Sequence, residues 1–463
     1  MDIKPPLNLL YLASYLKANG RSVELIDVRG DDLTFDDTLE RLRQIGPKFL
    51  GLPFYQGTEE PTLRLARAIK ADLPECHTIA GGPLATAVAK RLVSLPEIDV
   101  LVVGEGELAL KSILDEPKEH WGKIPGTATV SADGVFHQHK ARAVIDNLDE
   151  LPHLDYSFVD YPKYIAFQKS MRIPQSVFMT ISRGCHYRCT YCATPVLWPG
   201  KVRRMSVERV IEEIKWQQDK YPGLTMAFMD DSFFADRKWL LSFFEAVEPL
   251  KISYATIGRA DHLKPEDVDK LAETGCVYVS MGVETGNAQI QKEIKKRLSL
   301  ERVAPVVERL SKHGIYAKCF FMLGFPGETP AQMAETINFA VNLRSRGMSD
   351  CIFFPVNLYA GTELAERHGV DFMKSQIYLP EGNQNRDTVP QDVSENRLWR
   401  YSSVPAAHIN EYLTPDDLVR LVKLAYKSVE NKQPISVANV EECQLAKTSS
   451  SKVQSPLTAQ EPK

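Results

Sequence analysis

The chain lacks any run of about 18 uncharged apolar residues, which excludes an ordinary membrane-spanning helix. It also lacks a long Lys/Arg block. Fifty-six basic residues stand against 60 acidic ones, a formal charge of -4, so nucleic acid is not an expected partner. The apolar stretch Leu7 to Leu16 follows Asp2, Pro5 and Pro6 and precedes no small-residue cleavage site, so no signal peptide is expected and the protein is read as cytoplasmic. Cysteine is scarce and unevenly placed: of eight, Cys185, Cys189 and Cys192 fall within eight consecutive residues and the other five are scattered. Such clustering in a long chain reads as metal ligation rather than a disulfide framework.

With 463 residues, 44% hydrophobic and 25% charged, the chain can fill two or three cores of about 100 to 200 residues each. The fold class is α/β. Helical spacing over Leu9 to Asn19 stops at Gly20, and Ser22 to Val28 reads as a strand. Strands at Phe49 to Tyr55, Thr78 to Ala80 and Val100 to Val103 alternate with helices near Thr38 to Ile45, Pro61 to Ala71 and Ala85 to Leu95. This predicts a doubly wound, Rossmann-like parallel sheet over residues 1–120. Ligands of such sheets lie past the carboxyl ends of the strands. Thr58, Gly81, Gly82, Thr86, Gly104 and Glu105 stand there, although ordinary turns would also call for these glycines.

Residues 121–170 are rich in proline and aspartate and read as a linker with a small hairpin. Over 171–365 a second series places strands at Ser176 to Ser182, Thr225 to Met229, Ile252 to Ile257, Val277 to Val283, Tyr316 to Leu323 and Asp350 to Leu358. Amphipathic helices intervene, clearest at Val207 to Asp219, Pro265 to Glu273, Leu300 to Lys312 and Pro330 to Arg344. Six repeats predict a partial (β/α)6 barrel of the TIM type, with its chemistry at the strands' carboxyl ends. Residues 366–432 form a small, mostly helical C-terminal region in which Thr414 caps a helix reaching Glu430, and 433–463 is a polar tail expected to be disordered.

The decisive segment runs from Ile181 to Ala193, directly after the first barrel strand. A Cys-x3-Cys-x2-Cys loop can fold three thiolates around one face of a cubane cluster and leave the fourth iron open. A structural zinc site would want a fourth ligand, but no other cysteine is near and His186 adjoins Cys185 too closely. The spacing, with Tyr191 beside Cys192, resembles the radical S-adenosylmethionine (SAM) superfamily. That resemblance implies a 4Fe-4S cluster on Cys185, Cys189 and Cys192 that cleaves SAM to a 5'-deoxyadenosyl radical. It also implies an electron donor such as flavodoxin or ferredoxin and a small-molecule substrate. By the same resemblance Tyr191 covers the adenine, Asp230 and Asp231 match the segment meeting the methionyl ammonium, Arg259 lies near the cofactor, and Glu284 contacts the ribose. From the residues alone, Asp230 or Asp231 serves equally as a helix cap, while Gly282 beside Glu284 permits close approach. Pro195, Trp198 and the region from Phe372 to Tyr412 are candidates for a substrate pocket, and no catalytic residue is legible.

Further segments resemble the branch of that superfamily with an N-terminal cobalamin-binding-like domain: Pro5 to Leu7, Tyr11 to Ala13, Gly81 to Pro83, Val103 to Glu107, Gly324 to Thr329 and Tyr359 to Leu364. The resemblance implies cobalamin, held near Thr58, Gly81, Gly82, Gly104 and Glu105, and methyl transfer to an unactivated carbon. Two departures stand out. Members usually begin with a strand before the Pro-Pro element, which this chain reaches almost at once, so the sheet is expected to lack that strand. No Asp-x-His-x-x-Gly occurs in residues 1–115, where His77 is the only histidine, so the usual motif supplies no imidazole to cobalt. Without cobalamin the expectation becomes a radical rearrangement, cyclisation or oxidation, and from another class a non-catalytic iron-sulfur or cobalamin carrier. A transfer-RNA methylthiotransferase would want another cysteine triad, but Cys76 stands alone in the first domain.

Overall fold

The computed structural model describes residues 4–171, 173–200, 202–368 and 410–444. A first sheet contains β1 (Phe49–Pro53), β2 (His77–Gly81), β3 (Val100–Val102), β4 (Thr127–Val130) and β5 (Phe136–Gln138), adjacent in that order. β1 to β3 run parallel, and β4 and β5 continue antiparallel. The helix Phe35–Ile45 shows why local sequence sets these elements. Thr34 and Asp37 form a reciprocal cap, Leu39 and Leu42 bury one stripe, and Gly46 ends the helix at φ +57°.

Two sequence expectations change here. The strand expected at Ser22 to Val28 joins no ladder, and β1 is the outer strand among the described residues. Its β-branched and apolar residues suit a strand, but a strand also needs a neighbour for its backbone groups. Leu25 is instead buried in the core that the first unit shares with the barrel. The hairpin expected in the linker exists as β4 and β5 but extends the first sheet. The rest of the linker is a strap packed across the barrel's first strand: Tyr156 and Tyr161 are buried, and their hydroxyls donate to the carbonyls of Phe178 and Ser176.

The second sheet is parallel throughout. Its strands are β6 (Ser176–Met179), β9 (Thr225–Phe228), β10 (Tyr254–Gly258), β11 (Cys276–Glu284), β12 (Tyr316–Leu323) and β13 (Asp350–Pro355), in that spatial order. β6 and β13 are its two edges, so the barrel is incomplete, as the six repeats predict. Between β6 and β9 lies a separate two-stranded ribbon, β7 (Ser182–Arg183) and β8 (Arg203–Arg204). The outer helices pack by periodic stripes. Val303, Val306, Val307 and Leu310 of the helix Val303–Lys312 are all buried, each worth about 1.5–3 kcal/mol relative to exposure. The expected helix start at Leu300 is a 3-10 turn, Leu300–Arg302.

The C-terminal helix Pro415–Asn431 is capped by Thr414, as expected, and Leu418 packs against the turn at Gly324. A short helix, Val437–Glu442, buries Val440, so order extends into the segment expected as a tail. Residues 445–463 and most of Phe372 to Tyr412 lie outside the described residues. No helix among the described residues is long and apolar enough to cross a membrane.

Candidate functional site

The β7–β8 ribbon brackets the loop that carries the three cysteines. Asp230, just past β9, accepts from the Ile181 amide at 3.1 Å and from the Ser182 hydroxyl. Farther along, the Thr190 amide donates to the Ile294 carbonyl at 2.9 Å, and the Leu364 amide donates to the Thr190 carbonyl at 2.8 Å. The loop is therefore tied at its base and its middle to three barrel segments.

A cavity of about 1010 Å³ opens at the carboxyl ends of the barrel strands and reaches the first unit. Cys185, Cys189, Cys192, Asp231, Glu284 and Lys296 form one wall. Pro5, Pro6, Tyr55, Thr58 and Leu84 form the facing one, and Phe320, Met322, Phe354 and Tyr359 line an apolar side. The three loop thiols are free and only partly buried, whereas the other five cysteines are buried. No three His, Cys, Asp or Glu side chains among the described residues converge on a single ion. A cubane takes one thiolate per iron, so its ligands surround a body rather than a point, and three cavity-facing thiols fit it. Burial pushes the Cys189 thiol up to about 11 and raises that of Cys185; coordination to iron would reverse this, because the thiolate is the ligand.

Glu284 ends β11 at φ +69°, where the register with β12 slips between Gly282 and Glu284. A left-handed conformation in a buried non-glycine residue is strain of the kind that gathers at functional sites. Its carboxylate accepts from the Lys296 ammonium at 2.9 Å. Burial works against that ammonium, but the Glu284 charge and hydrogen bond together with the Cys189 charge outweigh it and hold Lys296 above its ordinary pKa. Lys295 and Arg297 flank it at φ +56° and +50°, making a tight turn. Arg259 braces the turn by donating to the Lys296 carbonyl at 2.8 Å, pairs with Asp261, and lies 3.9 Å from the centre of the Tyr187 ring.

Among the residues singled out in the barrel, Tyr191, Asp231, Arg259 and Glu284 line the cavity. The Tyr191 ring stands edge-on to Phe325 at 5.9 Å. Asp231 accepts from the Thr194 hydroxyl at 3.1 Å, and burial raises its pKa. Asp230 does not line the cavity; it is 2% exposed, and burial pushes its carboxyl up to about 6 despite the Arg204 charge. In the first unit Thr58 lines the cavity, while Gly81, Gly82, Gly104 and Glu105 do not. Gly82 has φ +99°, and a Cβ there would stand 3.0 Å from the Phe54 carbonyl oxygen, so the backbone itself requires it. The Gly104 amide donates to the Thr86 hydroxyl at 2.9 Å, and Glu105 pairs with Arg183 and Arg203. Val196 and Leu197 line the cavity where Pro195 and Trp198 do not. Lys296 escaped the sequence reading because nothing in a Lys-Lys-Arg run says which side chain turns inward.

The wall around Pro5, Tyr55, Thr58 and Leu84 combines apolar surface from prolines and leucines with polar and charged groups, Lys4, Asn8, Asp27, Arg29 and Gln56 among them, the character of a pocket for a large cofactor with an apolar body and polar periphery. No histidine lines it among the described residues. His77 sits at the amino end of β2, its ring 5.1 Å from that of Trp121. The wall thus fits a corrinoid that takes no imidazole from this domain.

The profile of the Radical SAM superfamily matches residues 179–340, and that of the B12 binding domain matches residues 3–114. An uncharacterized methyltransferase of Pyrococcus horikoshii is 30% identical over 78% of each chain. The cytidylyl-2-hydroxyethylphosphonate methyltransferase of Streptomyces wedmorensis is 26% identical over 78% of this chain and 77% of its own. Among solved structures, the radical SAM methyltransferase TsrM of Kitasatospora setae superposes with a TM-score of 0.66 at 16% identity, covering 81% of this chain and 75% of its own.

Proposed function

The chain belongs to the radical SAM superfamily, in the branch that carries an N-terminal B12-binding domain and includes methyltransferases, and we propose that its own reaction is methyl transfer to an unactivated carbon of a small molecule. Its cofactors are a 4Fe-4S cluster, SAM and cobalamin. When bound, the cluster supplies the electron that cleaves SAM and the cobalamin supplies the transferred methyl group.

The chain's own groups divide the work by wall. Cys185, Cys189 and Cys192 hold the cluster. Glu284, aimed by Lys296, accepts a sugar hydroxyl of SAM, and the cavity-facing Asp231 rather than Asp230 meets its ammonium. Tyr191 offers a ring face to the adenine. Arg259 is committed to Asp261 and to the Lys296 carbonyl, so it positions the turn that carries Lys296. Phe320, Met322 and Phe354 present apolar surface to the substrate and keep water from the reacting carbon. A cytoplasmic setting and a flavodoxin- or ferredoxin-type donor belong to the same proposal.

The observation that supports this reading is the single cavity shared by the three thiols and the Pro5–Thr58–Leu84 wall; a cluster on one side and a corrinoid on the other would lie within reach of one carbon. The test is to reconstitute the protein anaerobically, add hydroxocobalamin, and pass it through gel filtration. Stoichiometric retention, followed by 5'-deoxyadenosine formation from SAM on reduction, is expected. Formation of 5'-deoxyadenosine without any corrinoid retained would replace methyl transfer by rearrangement, cyclisation or oxidation. Absence of 5'-deoxyadenosine would make the protein a carrier.

A further inference from the structure

The neck of the cysteine loop carries an uncompensated charge of its own. β7 and β8 pair antiparallel with Arg183 directly opposite Arg203. Like charges facing each other across a strand pair destabilise it, and both guanidinium groups are only 11% exposed, where water screens weakly. A ribbon of two residues per strand has few backbone hydrogen bonds to set against that repulsion. The barrel sets the ties of Asp230 to Ile181 and Ser182 and of Arg204 to Ser232 against it, and none of these neutralises Arg183 or Arg203.

The counter-charges come from the other unit. Glu105 reaches Arg183 Nη1 at 2.9 Å and Arg203 Nη1 at 3.1 Å, so one carboxylate bridges the two strands. Glu107 takes Arg183 from its other side, at 3.2 Å from Nη1 and 2.5 Å from Nη2. Both glutamates are buried. Burial pushes the Glu105 carboxyl up, yet the hydrogen bond from Arg203 and the two arginine charges outweigh it and hold its pKa below the ordinary value. Gly106 between them has no side chain because a Cβ would stand 2.8 Å from the Leu12 side chain, so the segment packs against the helix Leu7–Ala18. Among the described residues, every carboxylate paired with Arg183 or Arg203 belongs to the first unit.

Two further ties set the same docking. The Gln56 amide donates to the Leu358 carbonyl and accepts from the Ala360 amide at 3.0 Å, and the Tyr11 hydroxyl donates to the Thr180 carbonyl at 2.9 Å. Both grip segments at the carboxyl ends of barrel strands.

We propose that Glu105 and Glu107 are positioning residues: the N-terminal domain closes the neck of the cluster loop through Arg183 and Arg203, so its docking and the geometry of the three cluster thiols are coupled. The proposal rests on Cys185, Cys189 and Cys192 being cluster ligands. Since Arg183 lies two residues before Cys185, a change in docking reaches the cluster through one short piece of backbone. By linkage, anything that binds the N-terminal wall and shifts the docking alters SAM affinity by the same factor that SAM alters its own.

The test uses the full chain, reconstituted anaerobically, as wild type, Glu105→Gln and Glu107→Gln. A double variant, Arg183→Gln with Glu107→Gln, removes one charge of each sign and leaves Glu105 paired with Arg203, so it keeps the neck neutral. Iron content, the electron paramagnetic resonance spectrum of the reduced cluster, the SAM dissociation constant and the melting temperature are read for each. Iron is expected to stay with the protein while the resonance shifts and SAM binds about tenfold more weakly in the single variants, and both are expected to return towards wild type in the double variant, where no like charges face each other across the ribbon. A structural role alone would lower the melting temperature and leave the spectrum unmoved. A wild-type resonance and dissociation constant in the folded single variants, or a double variant displaced as far as Glu107→Gln, would overturn the coupling. A wild type that forms no cubane would instead sink the cluster assignment, and the coupling with it.

Discussion

Lys296 Nζ lies 2.9 Å from Glu284 Oε1, and neither side chain is more than 12% exposed. The pair stands at a strained strand end on the same cavity wall as the cysteines, so its geometry is set before any ligand arrives. A buried carboxylate fixed in direction by an ammonium is a preorganised acceptor for a hydroxyl.

Glu284→Gln is therefore expected to weaken SAM binding while leaving iron content intact. Losing a charge-assisted hydrogen bond costs roughly 1.5 to 3 kcal/mol, or about tenfold to a hundredfold in affinity. Equilibrium dialysis with labelled SAM measures it. An unchanged dissociation constant would make Glu284 a structural carboxylate at the strand end.

Wild-type protein, reconstituted anaerobically, is expected to carry about four irons and four sulfides, and the triple variant Cys185→Ala, Cys189→Ala, Cys192→Ala none. The remaining five cysteines are 9% exposed or less and scattered through the cores, so they offer no substitute site. Iron and sulfide analysis with visible absorption decides the point, and a cubane spectrum in the triple variant would refute the assignment.

How much of this was legible in the sequence depended on whether the signal was local. The barrel strands and the helices at Pro265 and Pro330 follow from periodicity and caps that act within a few residues. The cysteine loop follows from spacing. Ser22 to Val28 misled because its β-branched and apolar residues suit a strand while no neighbouring strand pairs with it among the described residues. Glu105 misled for a similar reason: a strand-end carboxylate looks like a ligand until its partners, Arg183 and Arg203, arrive from far along the chain. Asp230 and Asp231 are neighbours with opposite placements, one under the ribbon and one in the cavity, a difference set by the direction of the chain after β9.

Acid is expected to loosen the first sheet before it disturbs the barrel's apolar core. Burial pushes the Asp99 carboxyl up, but the hydrogen bonds from Lys118, Lys70 and Thr78 outweigh it and bring it to about 2. Its unfolded value is near 3.9. The folded pKa is thus the lower one, so the stabilisation is complete above about pH 4 and is lost as pH falls towards about 2. In melting curves against pH, Asp99→Asn should lower the transition near neutrality and flatten its acid dependence. Parallel acid profiles for variant and wild type would contradict this.

Leu418→Ala should cost about 2–5 kcal/mol, because the side chain is 3% exposed and fills the space over Gly324. Gly324→Ala is expected to be costly for two reasons, its φ of +90° and a Cβ only 2.7 Å from Leu418 Cδ1. The second vanishes in the Leu418→Ala background and the first does not, so the two costs should add to less than their sum. Urea midpoints at constant slope measure this; strict additivity would mean that the steric term is absent.

Chain order gives the bridged neck a temporal side. Glu105 and Glu107 precede Arg183 and Arg203, so the ribosome delivers the acids before the ribbon that needs them. Domains generally fold as units, the N-terminal one first during synthesis. The nascent thiol loop then meets a finished docking face and spends little time gaping, when three neighbouring thiols would be open to oxygen and to stray disulfide exchange. A circular permutant with the first domain placed after the barrel would keep every contact and reverse that schedule, leaving equilibrium stability much as it is while lengthening the interval of chemical risk.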